Sequence, residues 1–347
     1  MRRTLAITLT ILMLAAVMPP AFAARDNVST ENVLRWINSY RAKPDPSRVP
    51  DAIRALSRLG VLAEPEKAAV YVGFLAGVIA ADPDKAEQLI GKMLPLPDEN
   101  QWIVVRAVAY SGIPEWQAML TRLSDRLPAR KVMIDKFLAG KLPRLDDFEL
   151  ERDPSWYEKV QDSMRLQKYF QPALPAEVKL ANTPEVLDTL WGFYFATGAS
   201  KPVLRITRYL QWAKDRDNVD RLTLGNMAKY TLVNNASRDT GLLAILKYAS
   251  RHEPEPLRPL IKEVVDAAET VDTSRVKKEA LAAIDDLQRK GPGSKRDMAW
   301  WGYVGEGAIA VGCVAAAAVG QIALGLPCVV GGATTSYALR TWLNTQQ

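Results

Sequence analysis

Histidine and cysteine are nearly missing from this chain of 347 residues, which has one histidine and two cysteines. With His252 alone, the chain cannot carry a paired-histidine metal site or an HExxH motif. A single histidine also argues against a serine or cysteine nucleophile activated by histidine. No Walker A loop appears, and no glycine-rich turn follows a strand pattern. We therefore expect a non-enzymatic protein without catalytic, cofactor-binding or metal-binding residues.

Strand signals are missing as well. No sustained alternation of apolar and polar residues occurs, and no Asn-Gly or Asp-Gly pair joins two apolar runs. Apolar residues instead recur at helical spacing, as in the series Val33, Leu34, Ile37 and Tyr40. The sequence therefore predicts an all-α fold.

The chain also has no block of basic residues. Its net charge is +6, and two of these charges come from Arg2 and Arg3. Proteins that bind nucleic acids usually concentrate basic residues on one face or stripe. The small excess therefore predicts no nucleic-acid partner.

Residues 1–23 have the pattern of a secretory signal peptide. Arg2 and Arg3 form a basic head, Leu5 to Val17 is uncharged and apolar, and Ala21-Phe22-Ala23 supplies small residues for cleavage. The apolar run is short for a membrane anchor, which is the alternative. We expect cleavage and export to the periplasm or cell envelope.

Prolines and glycines mark the ends of the predicted helices. Proline follows a short polar residue at several starts, where its missing N–H costs nothing. Gly60, Gly112, Gly140 and Gly198 close helical segments, as expected for helix C-termini. The predicted helices are 30–42, 47–60, 65–81, 83–94, 98–112, 114–127, 129–140, 154–170, 184–198, 201–216, 219–235, 239–252, 256–271 and 274–290.

The prolines also suggest a repeat. Pro50 and Pro83, Pro65 and Pro97, and Pro83 and Pro114 are 31 to 33 residues apart, the length of a helix-turn-helix unit. This spacing predicts an α-solenoid-like array, although the tetratricopeptide pattern is absent; an irregular helical domain is the alternative. The predicted segments are a signal peptide (1–23), an N-terminal array (28–142), a linker (143–153), a second helical block (154–290), a linker (291–297) and an apolar C-terminal segment (298–343).

The run Ala68–Ala81 is apolar on every side of the predicted helix. It is too short to cross a bilayer comfortably. Gly73 and Gly77 lie four residues apart and would let another helix approach closely. The run is therefore predicted to be the buried central helix of the first block.

The C-terminal segment has the composition of a membrane segment. No charged residue occurs from Gly307 to Leu339, a run longer than the roughly 20 residues that one spanning helix needs. Aromatic residues stand at both borders, as in the interfacial belts of membrane proteins. They are Trp300, Trp301, Tyr303, Tyr337 and Trp342. The pattern predicts membrane association through residues 299–339.

This segment has two alternative arrangements, a single span or a helical hairpin. A straight helix would hold Cys313 and Cys328 about 22 Å apart at 1.5 Å per residue, beyond disulfide reach. A hairpin turning near Gly320 would place them opposite each other as a disulfide candidate. The basic residues before the segment favour a hairpin, either inserted in a membrane or buried under the helical array.

Two series of residues at helical spacing are candidates for binding an acidic partner or anionic lipids. They are Arg122, Arg126 and Arg130, and Lys201, Arg205, Arg208 and Trp212. A solvated helix face is the alternative for both series.

Two acidic clusters are the only candidates for carboxylate chemistry. They are Asp146-Asp147-Phe148-Glu149 and Asp285-Asp286. Their charged surroundings favour a solvent-facing position instead.

The preferred function is an exported helical scaffold that binds an unknown protein partner at the cell envelope. The alternatives are a membrane-active, pore- or toxin-like protein using the C-terminal hairpin, and an envelope hydrolase using unrecognised carboxylates.

Overall fold

The computed structural model describes residues 29–94, 96–150, 179–215 and 218–270. In these ranges the chain is helical, as predicted, and its one pairing of extended backbone is an isolated bridge between Phe148 and Leu180. The described α-helices are α1 (Thr30–Ser39), α2 (Val49–Arg58), α3 (Pro65–Ala81), α4 (Pro83–Met93), α5 (Trp102–Tyr110), α6 (Trp116–Ser124), α7 (Lys131–Leu138), α8 (Pro184–Thr197), α9 (Ser200–Arg208), α10 (Val219–Ala236), α11 (Thr240–His252) and α12 (Arg258–Glu269).

Short 3₁₀ turns connect many of these helices. They are Tyr40–Ala42, Pro46–Arg48, Val61–Ala63, Asp98–Asn100, Pro128–Arg130, Leu145–Asp147 and Tyr209–Trp212. Proline stands in the first turn of α3, α4 and α8. Gly60, Gly112, Gly140 and Gly198 have φ between +65° and +73°, the left-handed region that glycine enters without a steric penalty. All four were predicted to end helices, and the prediction is confirmed.

Helix α3 is the centre of the core. Every residue from Ala68 to Ile79 is buried, because the helix is apolar on all sides and is covered on all sides. Its most extensive contact is with α8, in which all residues but one from Val186 to Ala196 are buried. Among the described residues no helix is long and apolar enough to cross a membrane. The prediction that Ala68–Ala81 is a buried helix is confirmed for Ala68 to Ile79, while Ala80 is half-buried and Ala81 is exposed.

Glycines bring the backbones of α3 and α8 into contact. A Cβ atom at Gly73 would lie 1.9 Å from the Thr189 carbonyl oxygen, and one at Gly192 would lie 2.0 Å from the Val70 carbonyl oxygen. Thr189 Oγ1 also donates a hydrogen bond to the Ala69 carbonyl oxygen at 3.2 Å. The close approach predicted at Gly73 is confirmed, and its partner is α8.

This contact joins helices from the two predicted blocks. Helix α3 lies in 28–142 and α8 in 154–290, and one cluster of buried residues includes side chains from both. Repeats of a strictly linear array touch only their neighbours, so the α3–α8 pairing departs from that pattern. The predicted linker also contributes to the core, because Leu145 and Phe148 are buried in it.

A polar cluster ties α1, α8 and α11 together. Asp239 caps α11 by accepting a hydrogen bond from the Leu242 amide at 3.1 Å. Tyr194 of α8 donates its hydroxyl hydrogen to Asp239 Oδ2 at 2.7 Å. Arg41, just after α1, forms an ion pair with Asp239 and lies 4.3 Å above the Tyr194 ring. We call Arg41, Tyr194 and Asp239 the clamp; it fastens three elements that are distant in sequence.

Candidate functional site

A groove opens where α7 ends and the chain turns back across α6. Gly140 follows α7 with φ +65°, and the Lys141 amide donates to the Lys136 carbonyl oxygen at 2.8 Å. This left-handed C-terminal turn reverses the chain direction. It brings residues 142–147 beside Trp116, the first residue of α6.

The groove has the size of a small-ligand site. Its volume is about 430 Å³. It combines aromatic and aliphatic side chains with an amide, a guanidinium and a carboxylate, and most of its accessible lining is polar. The lining residues are Trp116, Gln117, Phe137, Leu138, Gly140, Leu142, Arg144 and Asp147.

Arg144 is the cationic group that lines the groove. Its guanidinium carbon lies 5.1 Å from the centroid of the Trp116 ring, a cation–π distance. Its Nη2 donates to Asp147 Oδ1 at 3.3 Å, and its backbone amide donates to Asp147 Oδ2 at 2.8 Å. Both oxygens of Asp147 are therefore engaged. The guanidinium has five N–H donors and keeps some that make no hydrogen bond to described residues.

Tyr110 supports the groove from behind Phe137. The two rings meet edge to face, with centroids 6.4 Å apart. Burial raises the pKa of the Tyr110 hydroxyl; the nearby charge of Arg106 opposes this rise and that of Asp147 adds to it. The hydroxyl is therefore protonated at neutral pH and remains a hydrogen-bond donor.

The chain that forms the groove has more basic than acidic residues up to Arg144, and Asp147 then adds a carboxylate to the lining. Between Trp116 and Arg144 the two acidic residues are Asp125 and Asp135. The seven basic residues in the same stretch are Arg122, Arg126, Arg130, Lys131, Lys136, Lys141 and Arg144. Lys136 and Lys141 are exposed and stand next to lining residues in the chain. Within the described ranges, their side chains form no hydrogen bond or ion pair.

The first predicted basic series does not follow one helix face. Helix α6 ends at Ser124, so Arg126 and Arg130 lie beyond it. Arg122 Nε pairs with Glu87 Oε2 at 3.1 Å. Arg130 donates through Nε and Nη2 to the Asp98 carbonyl oxygen, at 2.9 and 2.6 Å. Two of the three cations therefore have partners inside the protein.

In the second predicted series, two cations pair with a carboxylate of the protein and one residue is buried. Lys201 Nζ and Arg205 Nη2 both approach Asp146 Oδ1, at 2.5 and 3.1 Å. Arg208 is exposed at the end of α9. Trp212 is buried at 6% exposure, with its ring 5.2 Å from the Arg221 guanidinium carbon. Trp212 therefore belongs to the core and does not extend a binding stripe.

The described acidic cluster is held by cations. Burial raises the pKa of Asp146, but its hydrogen bonds to Lys201 and Arg205 and their charges outweigh burial, and the pKa is lowered. Glu149 Oε2 lies 3.2 Å from Lys179 Nζ.

No group of three or more histidine, cysteine, aspartate or glutamate residues in the described ranges could hold a metal ion. His252 ends α11, as predicted, and stacks on Tyr248 with ring centroids 3.9 Å apart.

Replacing Asp146 should cost modest stability. The Asp146→Asn variant leaves Arg205, whose side chain is 13% exposed, without its ion pair. We expect a loss of about 1 kcal/mol, at the upper end for pairs near a surface. A thermal melt followed by circular dichroism measures it. Glu149→Gln is the matched control, since Glu149 is 67% exposed. Equal shifts in the two variants would show that Asp146 has no special role.

Several predicted residues lie outside the described ranges. They are Cys313, Cys328, Asp285, Asp286, Trp300, Trp301, Tyr303, Tyr337 and Trp342, together with the segments 1–23 and 299–339. The disulfide and the membrane segment stay predictions.

The sequence did not identify the groove. No sequence pattern marks Trp116 as a lining residue, and Arg144 falls in the predicted linker 143–153. The sequence feature that could have indicated the groove is Gly140 followed shortly by Pro143, because this pair indicates a chain reversal after α7.

Comparison of the chain with protein-family models, with curated proteins and with solved structures gave no match.

Proposed function

We propose that this protein is an exported, non-enzymatic helical scaffold that binds a protein partner in the groove between α6 and α7. The groove itself carries the proposal. Trp116, Leu138 and Leu142 are half-buried and offer apolar surface beside the free donors of Arg144. Rings and arginines next to apolar surface are the residue types that dominate protein interfaces.

The environments of Asp146 and Asp147 favour binding over hydrolysis at this site. Acid–base catalysis by a carboxylic acid at neutral pH needs a raised pKa. The pKa of Asp146 is instead lowered by Lys201 and Arg205. Both oxygens of Asp147 accept hydrogen bonds from Arg144.

We further propose that residues 1–23 are removed on export and that residues 299–339 hold the protein at a membrane. In this proposal, helix-turn-helix units precede an apolar C-terminal hairpin. The support is the sequence pattern of both segments. Fractionation should place a chain beginning after residue 23 with the envelope, and a carbonate wash should leave it there. A cytosolic protein that retains residues 1–23 would contradict export.

Site-specific cross-linking tests the groove. Gln117 is exposed and lines it, so a photo-reactive phenylalanine analogue at this position should capture the partner in intact cells. Lys262 is exposed on α12 and gives the control position. We expect a discrete cross-linked species from position 117 and not from position 262. The same species from both positions, or none from either, would contradict binding in the groove.

A further inference from the structure

We propose that the groove binds an acidic peptide segment that carries an apolar side chain beside its carboxylates. This inference rests on the proposed function and names the chemistry of the partner. It follows from three features of the site: its charge, the donors of Arg144, and the apolar surface next to them.

The exposed ammonium groups of Lys136 and Lys141 favour an anionic ligand in the groove. Lys136 and Lys141 are exposed and stand next to the lining residues Phe137 and Gly140 in the chain, whereas Arg144 already pairs with Asp147. The backbone amide of Lys141 donates to the backbone carbonyl oxygen of Lys136 at 2.8 Å, which keeps both residues at the C-terminal end of α7. Within the described ranges neither ammonium group has a carboxylate partner. An incoming acidic segment therefore supplies charges that the protein itself leaves unmatched.

Arg144 is oriented to receive a carboxylate. Its guanidinium is held against the Trp116 ring at 5.1 Å and anchored by one hydrogen bond to Asp147. This arrangement fixes the plane of the guanidinium before a ligand arrives, which lowers the entropy lost on binding. A ligand carboxylate can then accept hydrogen bonds from the remaining donors.

The apolar lining distinguishes a peptide from other anions. Phe137, Leu138 and Leu142 surround the same space as Arg144. A concave site of about 430 Å³ suits one large side chain, whereas a bilayer surface needs no such recess. A nucleic-acid backbone needs a continuous row of free cations. Arg122 and Arg130, which would extend such a row, are engaged within the protein.

Fluorescence anisotropy of labelled peptides tests whether the groove binds an acidic segment, with the full chain in a mild detergent. The labelled probes are Glu-Glu-Phe-Glu-Glu, Glu-Glu-Gly-Glu-Glu and Lys-Lys-Phe-Lys-Lys. We expect the first to bind at least tenfold more tightly than the second, and the third not to bind. The double variant Lys136→Glu, Lys141→Glu should weaken binding of the first probe at least tenfold. Lys262→Glu, an exposed charge reversal on α12, should change it less than twofold.

Three outcomes would overturn the inference. The first is equal binding of the phenylalanine and glycine probes, which indicates charge attraction alone. The second is equal weakening by Lys262→Glu, which indicates a general effect of net charge. The third is binding to phosphatidylglycerol vesicles that depends on Lys136 and Lys141 while no peptide binds, which assigns the surface to a membrane. A cross-link from position 117 alongside a negative peptide result would reject this ligand and keep the proposed partner site.

Discussion

Replacing Gly192 with alanine is expected to destabilise the protein strongly. A Cβ at this position would lie 2.0 Å from the Val70 carbonyl oxygen and 2.7 Å from the Phe74 amide nitrogen. Both atoms belong to the backbone of α3, so no side-chain rotation relieves the overlap. The two helices must separate, and the whole buried contact between them loosens.

The expected loss is about 3 kcal/mol, the upper end for overpacked cores. It should lower the thermal midpoint by roughly 6 °C or more, measured by circular dichroism in one fixed detergent. The matched control is Gly91→Ala in α4. A Cβ there meets only the Arg126 guanidinium at 3.3 Å, the mobile end of an exposed side chain. Alanine favours the helix over glycine by about 1 kcal/mol, so this variant should be neutral or more stable. A Gly192→Ala variant as stable as the control would refute the close packing of α3 on α8.

The second large effect is expected from Asp239→Ala. The substitution removes the α11 cap, the hydrogen bond from Tyr194 and the ion pair with Arg41 together. A cap is worth about 1 kcal/mol and a hydrogen bond to a charged group about 2 kcal/mol. We expect a loss of about 3 kcal/mol. Tyr194→Phe removes only the hydrogen bond to the Asp239 carboxylate and should cost about 2 kcal/mol.

The contribution of Asp239 should depend on pH. Burial raises the pKa of its carboxyl, but the hydrogen bonds from Tyr194 and the Leu242 amide and the charge of Arg41 outweigh burial. The pKa is therefore below its ordinary value of 3.8. A carboxyl with a lowered pKa in the folded state stabilises the fold above its unfolded pKa, and loses that effect as pH falls through the folded pKa.

Asp239→Asn isolates this charge effect, because asparagine caps helices as well as aspartate does. The stability difference between the unmodified protein and Asp239→Asn should be largest near pH 7 and shrink below pH 3.8. Thermal midpoints at pH 7, 4 and 3 would measure it. Asp135→Asn, at an exposed position on α7, is the control for the loss of one negative charge. A constant difference across this range would mean that the charge of Asp239 does not stabilise the clamp.

Helix limits were predictable because they are local. Proline at a first turn and glycine in the left-handed region act on their own backbone, whatever lies around them. The prediction 65–81 therefore coincides with α3, and Gly198 follows α8 as expected. The spacing of Gly73 and Gly77 also predicted a close helix contact, and the structure has one there.

Partners in space were not predictable because they are non-local. The apolar pattern of α3 shows that it is covered on all sides, but not that α8 covers it. The placement of the basic series depends on non-local structure for a related reason. Spacing of four residues puts Arg122 and Arg126 on one face only if the helix continues, and α6 ends at Ser124 between them. The groove depends on the chain reversal at Gly140. The periodicity of the sequence does not predict that the chain then crosses α6.

The pairing of α3 with α8 has a consequence for how the chain is made. Thr189 and Ala69, which the contact joins, are 120 residues apart in the sequence. At about 5–20 residues per second, α8 leaves the ribosome roughly 6 to 24 s after α3. During that interval the face of α3 that packs on α8 stays uncovered, although α5 can already cover another face. Exposed apolar surface of this kind promotes aggregation. Production of the protein should therefore depend on a chaperone that shields α3 until synthesis reaches α8.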